Sequence, residues 1–155
     1  VLDLPRHMLI QYPHLVHDAH VAVVVSELTL AATRDTIRIL AWLKSNAPQT
    51  KVVVVANRMP AGGALEISRK DFEQSIERGV DVVFPDDGKL AAQAAKLGKP
   101  MAEVAGGKIS APFTQLSGMV LSHASEEGLA EAKPGAKSLV DNLKTMLSKP
   151  KDKAA

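Results

Sequence analysis

Three stretches of the sequence place polar side chains directly after apolar or β-branched runs, and each could serve a ligand. Asp3 stands in Val1-Leu2-Asp3-Leu4-Pro5. A carboxylate fixed there can hold the water shell of Mg²⁺, a task for a hard oxygen ligand. It can equally cap the turn that follows it. Asn57-Arg58 follows Val52-Val53-Val54-Val55-Ala56. The Asn amide offers an acceptor and two donors, which suits a purine edge, although Asn is also a common turn residue. Phe84-Pro85-Asp86-Asp87-Gly88 follows a third such run. It either sets carboxylates at the mouth of a site or forms a plain type I turn. A fourth set, His14, His17 and His20, has spacing that could align two imidazoles on one helical turn. Val21 then opens an apolar run, which takes His20 off any such helix. With Asp18 as the one carboxylate among them, the series reads as incidental rather than as a metal site. No Gly-x-Ser-x-Gly nucleophile motif is present.

The elements that must position these residues alternate along the chain. Residues 1–4, 21–25, 51–56 and 80–84 read as strands. The middle two are solid apolar runs without polar alternation, the pattern of a parallel sheet covered on both faces. Between them lie helical stretches: 29–45, ended by Asn46-Ala47-Pro48; 72–78, begun by the capping-box-like Ser68-Arg69-Lys70-Asp71 and stopped by Gly79; and the Ala-rich 89–97, closed by Gly98. A further helix is expected over 111–123, with Ser110 and Pro112 at its start. Residues 124–136, with Gly128, Pro134 and Gly135, read as a linker, and 138–148 as a last helix. Strand–helix–strand alternation implies α/β architecture, a mostly parallel sheet between two helical layers. On that topology the three polar stretches fall on one edge, outside the carboxyl ends of the strands, where open α/β sheets bind ligands.

At 155 residues with 46% apolar and 23% charged content, the chain has the composition of one globular domain. Aromatics are only 3%, so the core must be aliphatic. The absence of cysteine excludes disulfides, thiolate metal sites and Cys nucleophiles. The apolar runs are far shorter than the ~18 residues of a spanning helix. No basic region followed by an apolar stretch marks a signal peptide. Residues 133–155 carry six Lys against Asp141 and Asp152, a charge of +4. The whole chain is +2, so the preceding body is −2 and offers no basic groove for nucleic acid. Over 138–148, Leu139, Val140, Leu143, Met146 and Leu147 share one helical face, flanked by Lys137, Lys144 and Lys149. Such a face docks on its own domain or a partner, or lies on an anionic membrane.

The order and spacing of these pieces resemble the C-terminal half of a MinD/ParA-class P-loop ATPase, most of all the CpaE/TadZ branch that serves assembly of Tad (Flp) pili. The matching stretches are Val1-Leu2-Asp3-Leu4-Pro5-Arg6, Asp18-Ala19-His20-Val21-Ala22-Val23-Val24-Val25, Ser26-Glu27-Leu28-Thr29-Leu30-Ala31-Ala32-Thr33-Arg34-Asp35, Val55-Ala56-Asn57-Arg58, Ile67-Ser68-Arg69-Lys70-Asp71-Phe72-Glu73, and Phe84-Pro85-Asp86-Asp87 through Gly98-Lys99-Pro100. They span residues 1 to about 105. The Leu-x-x-x-Arg-Asp and Ile-Ser-x-x-Asp-Phe pieces lean towards the pilus branch.

The resemblance implies an incomplete P-loop NTPase-like fold, three-layered αβα, over 1–123, followed by the linker 124–136 and a basic amphipathic tail over 137–155. It implies that Asp3 reaches Mg²⁺ through water, that Pro5 and Arg6 belong to the γ-phosphate switch, that Asn57 and Arg58 contact adenine, and that Pro85 and Asp86 close over the base. ATP and Mg²⁺ are the implied ligands of the parent protein. A homodimer and pilus-assembly proteins are the implied partners. The implied location is cytoplasmic, peripheral at the inner membrane or the cell pole. Two departures stand out. His20 occupies a position where the family usually has Asp. No Gly-x-x-x-x-Gly-Lys-[Ser/Thr] or Lys-Gly-Gly loop occurs in the sequence. That loop supplies the N–H groups and the Lys that neutralise the β- and γ-phosphates. The chain, which opens at Val1 without an initiator Met, therefore reads as a fragment or processed chain that does not hydrolyse ATP alone. The alternative within the same resemblance is a non-catalytic scaffold with a degenerate ATP site. A Rossmann-like enzyme is disfavoured, because no Gly-x-Gly-x-x-Gly follows any strand.

Overall fold

The computed structural model describes residues 1–60, 62 and 65–131. Its centre is a sheet of three parallel strands, β1 (Val21–Ser26), β2 (Lys51–Met59) and β3 (Val82–Pro85), in the order β1-β2-β3. Val21 to Ser26 pair in register with Lys51 to Ala56. Val55 and Ala56 pair with Val82 and Val83, and after an irregularity Met59 pairs with Pro85.

The all-valine middle of β2 shows why the strand lacks polar alternation. Val52, Val54 and Ala56 face one helical layer, while Val53 and Val55 face the other. The first layer holds α3 (Leu30–Asn46) and α4 (Arg69–Ser75), which bring Leu40, Leu43, Phe72 and Ile76 onto the sheet. The second layer is α7 (Ser110–Glu131), which brings Leu116 and Met119 onto Val53, Val55 and Val82. Phe84 and Phe113 meet edge-on there, with centroids 4.7 Å apart. The three-layer αβα architecture expected from the sequence is therefore present.

The remaining helices are short: α1 (Arg6–Gln11), α2 (His14–His17), α5 (Gly88–Leu97), α6 (Met101–Val104) and a 3₁₀ turn at Gly107–Ile109. The start signal read from the sequence at Ser68 is in place, its Oγ accepting from the Asp71 N–H. Thr29 Oγ1 likewise accepts from the Ala32 N–H and Asp87 Oδ1 from the Leu90 N–H, two caps that the sequence reading did not single out. Gly98, at φ 63°, closes α5 in the left-handed conformation that glycine adopts without a Cβ clash.

Four expectations are corrected. Residues 1–4 form no strand; Val1, Leu2 and Asp3 are exposed and Leu4 is half-buried. A fourth parallel strand would need a ladder partner along β1, and this segment makes none. α4 ends at Ser75 rather than at Gly79. Glu73 reaches forward to accept the Val80 N–H at 2.9 Å, Arg69 donates to the Val80 carbonyl at 3.0 Å, and Glu77 turns the chain at φ 53°. β3 starts at Val82 because the Asp81 carboxylate accepts the Val54 N–H at 2.7 Å, where a ladder carbonyl would otherwise stand. α7 runs past His123 to Glu131, so the first part of the expected linker continues the helix. The tail over 137–155 lies outside the described residues.

Candidate functional site

The carboxyl ends of β1 and β2 open onto a cavity of about 280 Å³. Its wall is built from Arg6 of α1, Val25 and Ser26 of β1, Glu27, Asp35 and Thr36 of α3, and Asn57 of β2. The volume is close to the ~300 Å³ lower end of small-ligand pockets, so it holds part of a ligand rather than enclosing a large one.

Its floor is a buried hydroxyl pair. Thr36 Oγ1 lies 2.9 Å from Ser26 Oγ and 2.8 Å from the Ala32 carbonyl, and Ser26 Oγ donates to the Glu27 carbonyl at 3.1 Å. Both residues are buried, and each hydroxyl is satisfied inside the protein. The rim is charged. Arg6 pairs with Asp35, which Arg38 also approaches at 3.7 Å, and Arg58 pairs with Glu27 at 3.3 Å. Arg58 does this from a backbone at φ 53°, within the irregular end of β2. A non-glycine residue held there carries local strain, a feature concentrated at functional sites. The start of α3 already has a carboxylate on it, since the Leu30 N–H donates to Glu66 Oε1 at 3.1 Å.

Asn57 and Arg6 meet in the cavity, and Arg58 stands on its rim through Glu27. Pro5 is the N-cap of α1 just outside. Pro85 ends β3, and the Asp86 N–H donates to the Met59 carbonyl at 2.8 Å, so both lie one strand away and neither lines the cavity. Asp87 is spent on capping α5. Asp3 sits on exposed chain before α1 and does not line the cavity either. Ser26, Glu27, Asp35 and Thr36 were not singled out as site residues from sequence. The available signal was positional: Ser26-Glu27 end a strand on the same edge as Asn57-Arg58.

His14 and His17 share α2, and His20 lies beyond it. Among the described residues no three His, Asp or Glu side chains group so as to hold a metal. A larger cavity, about 580 Å³, lies at the opposite edge, between the C-terminal half of α3 and the turn after α4. It lies away from the strand ends at which open α/β sheets bind ligands.

No protein-family model matches the chain, and no curated protein does. Solved structures do. A ParA family ATPase from Chlorobium tepidum TLS superposes with a TM-score of 0.52 at 18% identity, over 60% of this chain and 38% of that one. The MinD cell division protein of Aquifex aeolicus superposes with a TM-score of 0.51 at 19% identity, over 77% of this chain and 48% of that one. Over those stretches the chain shares the αβα fold of these two ATPases. The chain spans less than half the length of either protein. At these identities the likeness is one of fold.

The residues present fit only part of the ligand that the MinD/ParA-class fold implies. Arg6, Asn57 and Arg58 supply donors for a nucleoside or an anionic edge. Asp3 is a single carboxylate off the cavity, and no phosphate loop occurs in the sequence. Mg²⁺ is usually held by one or two carboxylates together with substrate phosphates. These residues therefore do not by themselves make an Mg²⁺-triphosphate site, and no hydrolytic step follows from them. No helix among the described residues is long and apolar enough to cross a membrane.

Proposed function

We propose that the chain is part of an ATP-binding, MinD/ParA-like nucleotide switch that serves Tad (Flp) pilus assembly and its localisation at the cell pole. The observation that carries the nucleotide part is the meeting of Arg6, Ser26, Glu27 and Asn57 at the carboxyl edge of a MinD/ParA-class sheet. The pilus part rests on the motif order Leu-x-x-x-Arg-Asp then Ile-Ser-x-x-Asp-Phe. In this reading Asn57 and Arg58 would take the purine, with Pro85 and Asp86 one strand away, and Pro5 and Arg6 would respond to the γ-phosphate; Asp3, off the cavity, would reach Mg²⁺ only through water and only where an added phosphate loop supplies the phosphates. Homodimerisation and contacts with pilus-assembly proteins transmit the state of the switch. The phosphates are held by a loop that residues 1–155 do not contain.

Titration calorimetry tests this. Residues 1–155 are expected to show no ATP binding at micromolar concentrations. A longer chain with an intact upstream phosphate loop is expected to bind ATP in an Mg²⁺-dependent way, more weakly after Asn57→Ala. Micromolar ATP binding by residues 1–155 alone would show that the phosphate site is misplaced.

A further inference from the structure

β2 and β3 do not keep step to their carboxyl ends. Ala56 pairs with Val83 and Met59 with Pro85, so Asn57 and Arg58 together stand opposite the single residue Phe84. One extra residue in one strand is a β-bulge. Side chains alternate along a regular strand, so Met59 would share the face of Val53 and Val55. It packs instead with Val54, Ala56 and Phe72, on the face covered by α3 and α4. The bulge therefore returns Met59 to a core that an unbroken strand would deny it. Beyond the bulge the Asp86 N–H fastens the strand again, donating to the Met59 carbonyl at 2.8 Å.

The extra step is taken at Arg58, whose φ is 53°. Glycine adopts this conformation freely, whereas a residue with a Cβ is strained in it. Such a residue persists only where its surroundings hold it. Glu27, just past the end of β1, holds Arg58 through an ion pair at 3.3 Å. The last rung between β1 and β2 joins Ser26 to Ala56, so Asn57 is the first residue beyond it. There it is half-buried and lines the cavity beside Ser26 and Thr36. Bulges next to binding sites re-aim a side chain or end a pairing, and this one falls where β2 leaves β1 and the cavity opens. The Arg58 guanidinium is turned to Glu27, so what Arg58 gives the cavity is chiefly the course of its backbone.

We propose that Arg58 is a positioning residue: its left-handed backbone makes the bulge that sets Asn57 against the cavity while Met59 regains the core. On the nucleotide reading, on which the ligand part rests, the purine contact then falls chiefly to Asn57. Two substitutions separate backbone from guanidinium in the full chain of residues 1–155. Arg58→Gly keeps the positive φ and removes the side chain. Arg58→Val removes the side chain and resists that φ. The probe is adenosine at millimolar concentration, followed by NMR at the Asn57 side-chain amide. Arg58→Gly should bind adenosine within about threefold of wild type, and Arg58→Val at least tenfold more weakly. Equal losses in Gly and Val would assign the effect to the guanidinium and overturn the proposal, as would a Val variant that binds like wild type. Exchange of the Asp86 N–H reads the bulge without ligand. It should be at least tenfold faster in Arg58→Val than in Arg58→Gly, and equal exchange would overturn the proposal whether or not adenosine binds. That exchange difference without any response to adenosine would support the bulge and overturn the nucleotide reading instead. Amide protection in β1 shows that each variant is folded, and Arg58→Ala, milder at positive φ than Val, replaces a Val variant that is not.

Discussion

The Ser26–Thr36 pair under the cavity allows a quantitative test of how the site is held. Thr36 is 2% exposed and Ser26 6%. Thr36→Val keeps the side-chain volume and removes the hydroxyl that bridges Ser26 and the Ala32 carbonyl. A typical intramolecular hydrogen bond contributes about 0.5–1.5 kcal/mol net, and a buried partner left unpaired costs about 1–3 kcal/mol. Ser26 keeps its bond to the Glu27 carbonyl, so the loss falls at the low end, about 1–2 kcal/mol. Ser26→Ala should cost a similar amount. The double variant removes both ends at once, and contacting pairs couple by about 0.5–3 kcal/mol. A coupling of about 1 kcal/mol is therefore expected in urea unfolding. With m near 1–3 kcal/mol/M, each single change should lower the midpoint by roughly 0.3–2 M. If the two losses add within about 0.3 kcal/mol, the hydroxyls act independently and the reasoning fails.

Other expectations follow from single contacts. Phe72 is fully buried on α4, so Phe72→Ala should cost about 3–5 kcal/mol in the same assay, enough to unfold most of a marginal domain. Asp87→Ala removes the cap of α5 and should cost about 1 kcal/mol, whereas Asp87→Asn or Asp87→Ser should recover most of it. The Val80 N–H, and after it the Arg69 guanidinium, hold the Glu73 carboxyl below its ordinary 4.5. A lowered folded-state pKa gives stability that is present above pH 4.5 and lost as pH falls below it. The melting temperatures of wild type and Glu73→Gln should therefore differ most above pH 4.5 and converge as pH falls through the lowered folded-state pKa. A gap that persists in acid would place the effect in packing rather than in charge.

The parts of this fold legible in the sequence were those whose signal is local. Solid valine runs marked β1 and β2, and Ser68 and Gly98 marked helix ends, because caps are chemistry between near neighbours. The parts that were not legible depend on distant partners. Val1-Leu2-Asp3-Leu4 is apolar enough for a strand, but a strand exists only where another chain segment completes its hydrogen bonds. The start of β3 moved because the side chain of Asp81 competes with backbone for Val54, which no local pattern reveals. The site divided in the same way. Asn57 was found by its position on the carboxyl edge, and Arg6 only through the family resemblance. Thr36 reads in sequence as an ordinary helical residue and becomes part of the cavity only when α3 packs against β1.

The sheet order β1-β2-β3 follows the order of synthesis. Among the described residues β1 pairs with β2 alone, and its partner Lys51 emerges thirty residues after Val21. At about 5–20 residues per second, the wait is about 1.5–6 s. During that interval Val21-Ala22-Val23-Val24-Val25 is a short β-prone segment without charge, the kind that pairs with other chains. His20 before it and Glu27 after it are the nearest polar guards. Nascent-chain quality thus depends on how quickly α3 and β2 follow, and slow codons between residues 27 and 50 would lengthen the exposure and favour aggregation over folding.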